Sequence, residues 1–401
     1  MGNFNKKYII ICLLILLVFQ IGLHLKTNPV TPNSRLFFNI SENIVKHGSY
    51  SFDGENPTRM IQPLYTLFVM VFYQFAGQNP TIVIIVQIIL NLIGFLILLK
   101  TSALIFDRQS PLILPLLLAC HIAIWYFSTI IINECLFIFL IICTNYYFIR
   151  AFKDDKSRDI MLSGLFAGLA FMTRPIGLGY IGMMFIPYLV FHRISKQTVR
   201  RLALTYIPII LVILPWTIRN QITMDNFTPL SSEDRYHLLY ASLPDSVTQS
   251  REYQIFDPIN TEPDKVADST GMLKTAVSNI MADPLGFIKR GINKIITIWV
   301  HFPGTREISN LPIKIISSII QIGILIFAAI GFIYIKKWPG IILLLPAISC
   351  SLIVFFTYAT TRFTVPALPF ILILTAKGMD VVWRQYLFAK LFRRNKPISV
   401  D

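Results

Sequence analysis

Residues 80–105 read PTIVIIVQIILNLIGFLILLKTSALI and hold one charged side chain, Lys100. An α-helix needs about 20 predominantly apolar residues to cross a bilayer's hydrocarbon core, so this stretch reads as a membrane span. Comparable runs lie at Tyr8–Leu25 and near 110–128, 134–151, 159–173, 176–191, 202–218, 313–335, 340–358 and 363–383. Composition agrees: the 401 residues are 54% hydrophobic and 14% charged, against about 25% charged in an ordinary soluble domain. Too few polar side chains exist to cover a soluble surface. A cytosolic enzyme, a disordered chain and a secreted disulfide scaffold are excluded, and an all-α polytopic integral membrane protein with about ten transmembrane helices is expected.

Charge orients the spans. The first run follows Lys6 and Lys7, is long for a signal sequence and is followed by no small-residue cleavage site, so it reads as a retained anchor. Segments 61–77 and 284–302 are ambiguous. If neither crosses, the loops around Arg108, Lys153–Arg158, Arg193–Arg201 and Lys336–Lys337 all become cytoplasmic, as does the tail with Arg384, Lys390, Arg393, Arg394 and Lys396. If both cross, three of those loops move outside, against the positive-inside rule. The first arrangement puts both termini in the cytoplasm. It gives one integral membrane domain over 1–383 with outer regions at about 27–79 and 219–312, followed by a basic tail at 384–401. Ser34–His47 reads as an outer helix with Leu36, Phe37, Ile40, Ile44 and Val45 on one face. Segment 284–302 reads as an interfacial helix, cations on one side and Ile and Trp on the other. Gly164-xxx-Gly168 fits close helix packing.

The 36 basic and 21 acidic residues leave +15. In a membrane chain this excess belongs to cytoplasmic loops and anionic headgroups, and no nucleic-acid module is present. Cys12, Cys120, Cys135, Cys143 and Cys350 lie in apolar runs without a CxxC pair and read as small hydrophobes. The histidines lack metal spacing.

Four charges sit awkwardly at outer helix ends: Glu134 in IINECLF, Arg174 in FMTRPIG, Arg219 in PWTIRNQ and Arg362 in TTRFTVP. An arginine at the boundary can snorkel to headgroups. Three at the outer face, against the usual charge bias, point to a shared anionic ligand, because the guanidinium fork suits phosphate. With amphipathic outer segments beside them, the pattern indicates chemistry on a lipid-linked phosphate.

The sequence also resembles the polyprenyl-phosphate-sugar-dependent membrane glycosyltransferases of the GT-C fold. It is similar above all to the bacterial relatives of the dolichyl-phosphate-mannose protein mannosyltransferases and of the lipid A aminoarabinose transferases (a glycosyltransferase family 39-like branch). The motifs run in family order: Asn33-Ser34-Arg35-Leu36-Phe37, then Gly48-Ser49-Tyr50-Ser51, Pro63-Leu64-Tyr65-Thr66-Leu67-Phe68, Glu134, Gly164 through Pro175, Pro215-Trp216-Thr217-Ile218-Arg219-Asn220, and Arg362 through Pro369. The resemblance implies a transferase of the bacterial inner membrane. It would move a hexose or pentose from a polyprenyl phosphate to a lipid, glycan or protein acceptor at the extracytoplasmic face, with inversion. It implies Arg174, Arg219 and Arg362 as donor-phosphate ligands and Tyr65, Asn220 and Trp299 in the substrate pocket. No cofactor is implied, and no paired Asp/His set supports a metal.

The family's first outer loop carries an aspartate regarded as the base, and this chain has Asn33 there. An amide does not accept a proton at neutral pH as a carboxylate does. Three alternatives stand. Glu134, or Asp53 or Glu55 in that loop, serves as base, with Asn33 orienting the acceptor. The acceptor needs little base assistance. Or the chain is an inactive or differently specialised member. A lipid-linked sugar transporter or a noncatalytic envelope-assembly subunit are the rival functions.

Overall fold

The computed structural model describes residues 4–106, 111–225, 227–229, 231, 238–239, 241–243, 269–301, 311–335 and 337–384. The polar stretch of the second outer region, the loop with Arg108 and the tail beyond Arg384 lie outside the described residues. In chain order the helices are α1 (Lys6–Lys26), α2 (Pro32–His47), α3 (Pro63–Ala76), α4 (Pro80–Ile105), α5 (Leu114–Cys120), α6 (Ile122–Trp125), α7 (Glu134–Asp154), α8 (Ser157–Thr173), α9 (Gly177–Ile181), α10 (Phe185–Phe191), α11 (Lys196–Met224), α12 (Ser269–Ala282), α13 (Pro284–Val300), α14 (Leu311–Ile333), α15 (Lys337–Phe356) and α16 (Leu368–Val382). A 3₁₀ turn, Thr361–Ala367, leads into α16. Among the described residues no strand forms; one antiparallel bridge joins Ser51 and Pro57.

Among the described residues seven helical segments are long and apolar enough to cross a membrane: α1, α4, α7, α11, α14, α15 and the run from Thr361 through α16. Two expected spans are broken. In 110–128, His121 leaves helical geometry at φ −82°, ψ 85°, dividing the run into α5, α6 and a 3₁₀ turn. In 176–191 the chain turns at Gly182–Met184, and Pro187 in the first turn of α10 has no N–H to continue the ladder from α9. α8 has 17 residues. α3 has 14 residues, about 21 Å of helix and short of a bilayer core.

The core is built around α7, which packs on α4 and α8, with α8 against α11 and α14 against α16. Glycines set the closest approaches. A Cβ at Gly164 would run into the Thr205 carbonyl of α11, and one at Gly168 would press on Ile209. Gly331 of α14 and Gly378 of α16 likewise meet the backbone of the facing helix. Without a hydrophobic force between helices in lipid, such contact is what packing rests on. Gly164→Leu is therefore expected to pry α8 from α11 and to lower stability by about 1–3 kcal/mol or more, read as a drop in the detergent melting temperature.

The bundle has two chemically distinct ends. At one, Arg201 pairs with Asp155 at 2.7 Å, Gln197 donates to the same carboxylate, Arg200 reaches Ser157, and Lys153 donates to Leu104 O. At the other, Ser34 Oγ donates to Ile131 O at 2.7 Å, and the Ile131 N–H to Pro29 O at 3.0 Å. Since α7 and α8 begin and end at opposite faces, Glu134 and Arg174 share this second end, away from the basic loops.

Helix α2 is fixed there by a Thr31–Ser34 capping box and a left-handed Gly48 at its C-terminus. It buries Leu36, Phe37 and Ile40, half-buries Ile44 and leaves Val45 exposed. The last departs from the expected face because α3 covers only part of α2. In α13, Phe287, Gly291 and Ile298 face the bundle while Leu285, Ile288, Ile292 and Ile296 are exposed. Its cations do not form one outward side: Lys294 turns in to donate to Phe355 O at 3.0 Å and Thr357 O at 2.6 Å, capping the end of α15. The five cysteines are free, four buried and Cys120 exposed.

Candidate functional site

Glu134 opens α7, where the unpaired N–H groups of the first turn favour a carboxylate. Its side chain is 1% exposed. Burying a carboxylate alone costs several kcal/mol, roughly, and is tolerated when it is paired. Two guanidiniums meet that need. Arg174 forms an ion pair with Glu134 Oε1, and Arg362 Nε stands 3.7 Å from the same oxygen. Glu134 Oε2 is buried and has no hydrogen-bond partner among the described residues.

Local sequence explains how the arginines arrive. Pro175 disfavours helical backbone at the residue before it. Arg174 accordingly ends α8 in extended geometry, φ −149°, ψ 135°, while its N–H still closes onto Ala170 O. Asn133 Nδ2 donates to Thr173 O at 3.3 Å, tying the start of α7 to the end of α8. Arg362 lies in the 3₁₀ turn, 36% exposed where Arg174 is 12% exposed. The ring of Phe363 lies near both cations, 5.6 Å from Arg174 Cζ and 6.0 Å from Arg362 Cζ. Tyr358 packs on that ring, and its hydroxyl accepts from Arg362 at 3.5 Å. Two guanidiniums share one carboxylate, so the cluster retains one positive charge. Phe363 stands in the Arg362–Pro369 motif, which assigns it no role, and nothing in the sequence singles out Tyr358 or Asn133.

Arg219 has other partners. Its guanidinium donates to Thr58 O at 2.8 Å, Tyr50 O at 3.2 Å and Asn220 Oδ1 at 3.1 Å, and lies 4.7 Å from the Trp216 ring. It fastens the loop between α2 and α3 to α11. Asn220 is buried beside it and donates to Thr228 O at 2.9 Å. Tyr65 is buried, donates to Gln87 Oε1 at 2.6 Å and packs edge-on against Phe37. Gln87 donates in turn to Ser128 O and Ile130 O, so this network steadies the approach to Glu134. Trp299 donates to Ser351 Oγ at 2.8 Å, joining α13 to α15. Asn33 falls in the first turn of α2, next to Ser34 and hence near Ile131; its side chain is outside the described residues.

Asp53 is exposed and accepts from Glu55 N, Asn56 N and Asn56 Nδ2. Those donors pull its pKa down to about 2 from the usual 3.8, far from a base poised near neutrality. Because the folded value is the lower one, this turn's stabilisation is full above the ordinary aspartate range and is lost as pH falls toward 2. Pepsin is expected to cut the 51–57 turn progressively faster from about pH 4 downward. In Asp53→Asn the turn should be cut at a rate that no longer follows this titration. Among the described residues no three His, Cys, Asp or Glu side chains come together.

The chain is similar to known proteins in part of its sequence pattern and in its fold. Residues 57–218 fit the model of the dolichyl-phosphate-mannose-protein mannosyltransferase family. No curated protein matches the chain by sequence. Among solved structures, the oligosaccharyltransferase of Archaeoglobus fulgidus tethered to an acceptor peptide superposes with a TM-score of 0.57 at 13% identity, over 97% of this chain and 51% of that one. The archaeal oligosaccharyltransferase AglB from the same organism, in complex with an inhibitory peptide and a dolichol-phosphate, gives 0.56 at 11% identity over 100% and 53%. ArnT from Cupriavidus metallidurans bound to undecaprenyl phosphate gives 0.47 at 12% identity over 99% and 82%. The chain thus spans about half the length of the archaeal proteins it superposes on. It is a polytopic membrane protein of the GT-C fold, and its residues 57–218 carry the pattern of the dolichyl-phosphate-mannose-protein mannosyltransferase family.

Proposed function

We propose that the chain is a glycosyltransferase that moves a sugar from a polyprenyl-phosphate donor to an acceptor at the extracytoplasmic face, with inversion. The observation that carries this reading is the convergence of Arg174 and Arg362 on buried Glu134, at the end of the bundle opposite the basic loops. The positive-inside rule makes those loops cytoplasmic and that end external. The family pattern over 57–218 and the dolichol-phosphate held by an archaeal protein of the same fold agree with a lipid-linked donor.

The donor's phosphate meets the two guanidiniums while its prenyl chain stays in lipid. The acceptor oxygen attacks the anomeric carbon from the face opposite the phosphate. The carbon–oxygen bond to phosphate breaks, and polyprenyl phosphate leaves with the electron pair. Arg174 and Arg362 stabilise the growing charge on that phosphate. Glu134 holds both guanidiniums through Oε1, and Oε2 takes the acceptor's proton. Asn33, at the start of α2, orients the acceptor. Arg219 holds the first outer loop against α11, and Asn220 beside it holds Thr228.

Purified protein in nanodiscs with a radiolabelled polyprenyl-phosphate sugar tests this directly. Acceptor-dependent release of free polyprenyl phosphate is the expected result. Transfer of intact donor between leaflets without release would indicate a flippase. Asn33, an amide where the family has a carboxylate, favours one second reading, a lipid-binding subunit without catalysis; binding with no release would support it.

A further inference from the structure

Gln62 takes no part in the transfer steps. It is the N-cap of α3 and 2% exposed, yet neither its amide nitrogen nor its amide oxygen has a hydrogen-bond partner among the described residues. A primary amide offers two donors and an acceptor oxygen with two lone pairs. Buried groups of this kind are nearly always bonded, and an exception calls for a partner that is not protein.

The position is held from several sides. Pro63 restricts the backbone of Gln62 itself. The Tyr50 hydroxyl donates to Ile61 O at 3.2 Å and reaches Thr66 Oγ1 at 3.1 Å, bracketing the residue. Tyr50 packs edge-on against Trp216, and its carbonyl accepts from Arg219. One turn further on, Tyr65 lies beside Ile132 and within electrostatic reach of Glu134. Gln62 is therefore held one helical turn from Tyr65, which reaches toward the Glu134 cluster, with the hydrogen-bonding capacity of its side-chain amide unspent.

A neutral amide adds little to gripping a phosphate that two guanidiniums already face. Its donor and acceptor, side by side, match the adjacent hydroxyls of a sugar. We propose that Gln62 is a specificity-determining residue whose amide reads hydroxyl groups of the sugar on the lipid phosphate bound at Arg174 and Arg362. This rests on the transferase reading, and the test separates the two.

Binding of undecaprenyl phosphate, undecaprenyl-phosphate-mannose and undecaprenyl-phosphate-glucose is measured on the full chain in nanodiscs, with melting temperatures alongside. The wild type is expected to bind at least one sugar-bearing lipid about tenfold or more tighter than the bare lipid phosphate, the scale of one or two well-made hydrogen bonds. Gln62→Leu is expected to lose that preference, to keep its affinity for undecaprenyl phosphate and to melt no lower than the wild type, since an apolar side chain replaces an unbonded amide. Gln62→Met serves as the second variant should Leu pack poorly. A preference retained in either variant overturns the proposal, as does a wild type that binds the bare lipid phosphate equally well. Unfolding of both variants also overturns it, because the amide would then be structural. A wild type that binds none of the three lipids removes the transferase reading itself.

Discussion

Glu134→Ala is expected to abolish sugar transfer and to cost about 3–5 kcal/mol of stability, the range for removing one partner of a buried ion pair. The cause is specific. Arg174, only 12% exposed, would lose the carboxylate it pairs with, and Arg362 would lose the same anchor. Two guanidiniums in an apolar setting would then repel each other without a compensating anion. Glu134→Gln separates stability from chemistry. The amide keeps the shape and one acceptor oxygen, so Arg174 retains a hydrogen bond and the fold survives. The amide cannot take a proton, so transfer should still fall by about 100- to 10,000-fold, the range for general-base catalysis. Thermal melting and initial rates on the two variants check this. Full activity in Glu134→Gln would remove Glu134 as the base and leave it the holder of the arginines.

Arg362→Ala is expected to fold and melt close to the wild type while transfer falls about 100- to 1000-fold. Arg362 is the more exposed of the pair, and Glu134 keeps its contact with Arg174 when Arg362 is removed. The fold therefore depends on it little. A phosphate leaving group depends on it strongly, because charge on the departing oxygen grows in the transition state and a positioned guanidinium meets it there. The loss should appear in kcat more than in KM. Arg362→Lys should recover part of the rate, since the ammonium supplies charge without the planar fork. A rate for Arg362→Ala within twofold of the wild type would remove Arg362 from the mechanism.

Much of this was legible in the sequence, and the reasons are local. Long apolar runs name the spans because lipid offers no partner for backbone groups. The basic loops at 153–158 and 193–201 meet at one end of the bundle, where Asp155 pairs with Arg201. Gly164-xxx-Gly168 marks a close contact with α11 because only a residue without Cβ fits there. The Arg174-Pro175 pair marks a helix end through the steric effect of proline on the residue before it.

The rest depends on contacts that leave no trace in residue type. That Arg174 and Arg362 share one carboxylate is set by the packing of α7, α8 and the 3₁₀ turn, elements far apart along the chain. Arg219 reads in sequence as a helix-end arginine like Arg174, yet it lies within α11 and reaches backbone carbonyls of Tyr50 and Thr58, and carbonyls occur at every residue. The breaks at His121 and Gly182–Met184 are departures of one and three residues inside runs whose average composition is that of a span. Lys294 faces α15 because its ammonium meets the open carbonyls at that helix's end.

The arginine pair held by Glu134 is expected to bind the phosphate of a prenyl lipid. Native mass spectrometry of undecaprenyl phosphate on the wild type, Arg362→Ala and Lys153→Ala tests it most directly. Charge-assisted contacts to phosphate are strong and local, so binding should weaken at least about tenfold in Arg362→Ala and stay within about twofold in Lys153→Ala at the opposite end. Undiminished binding in Arg362→Ala, or an equal loss in Lys153→Ala, would contradict it.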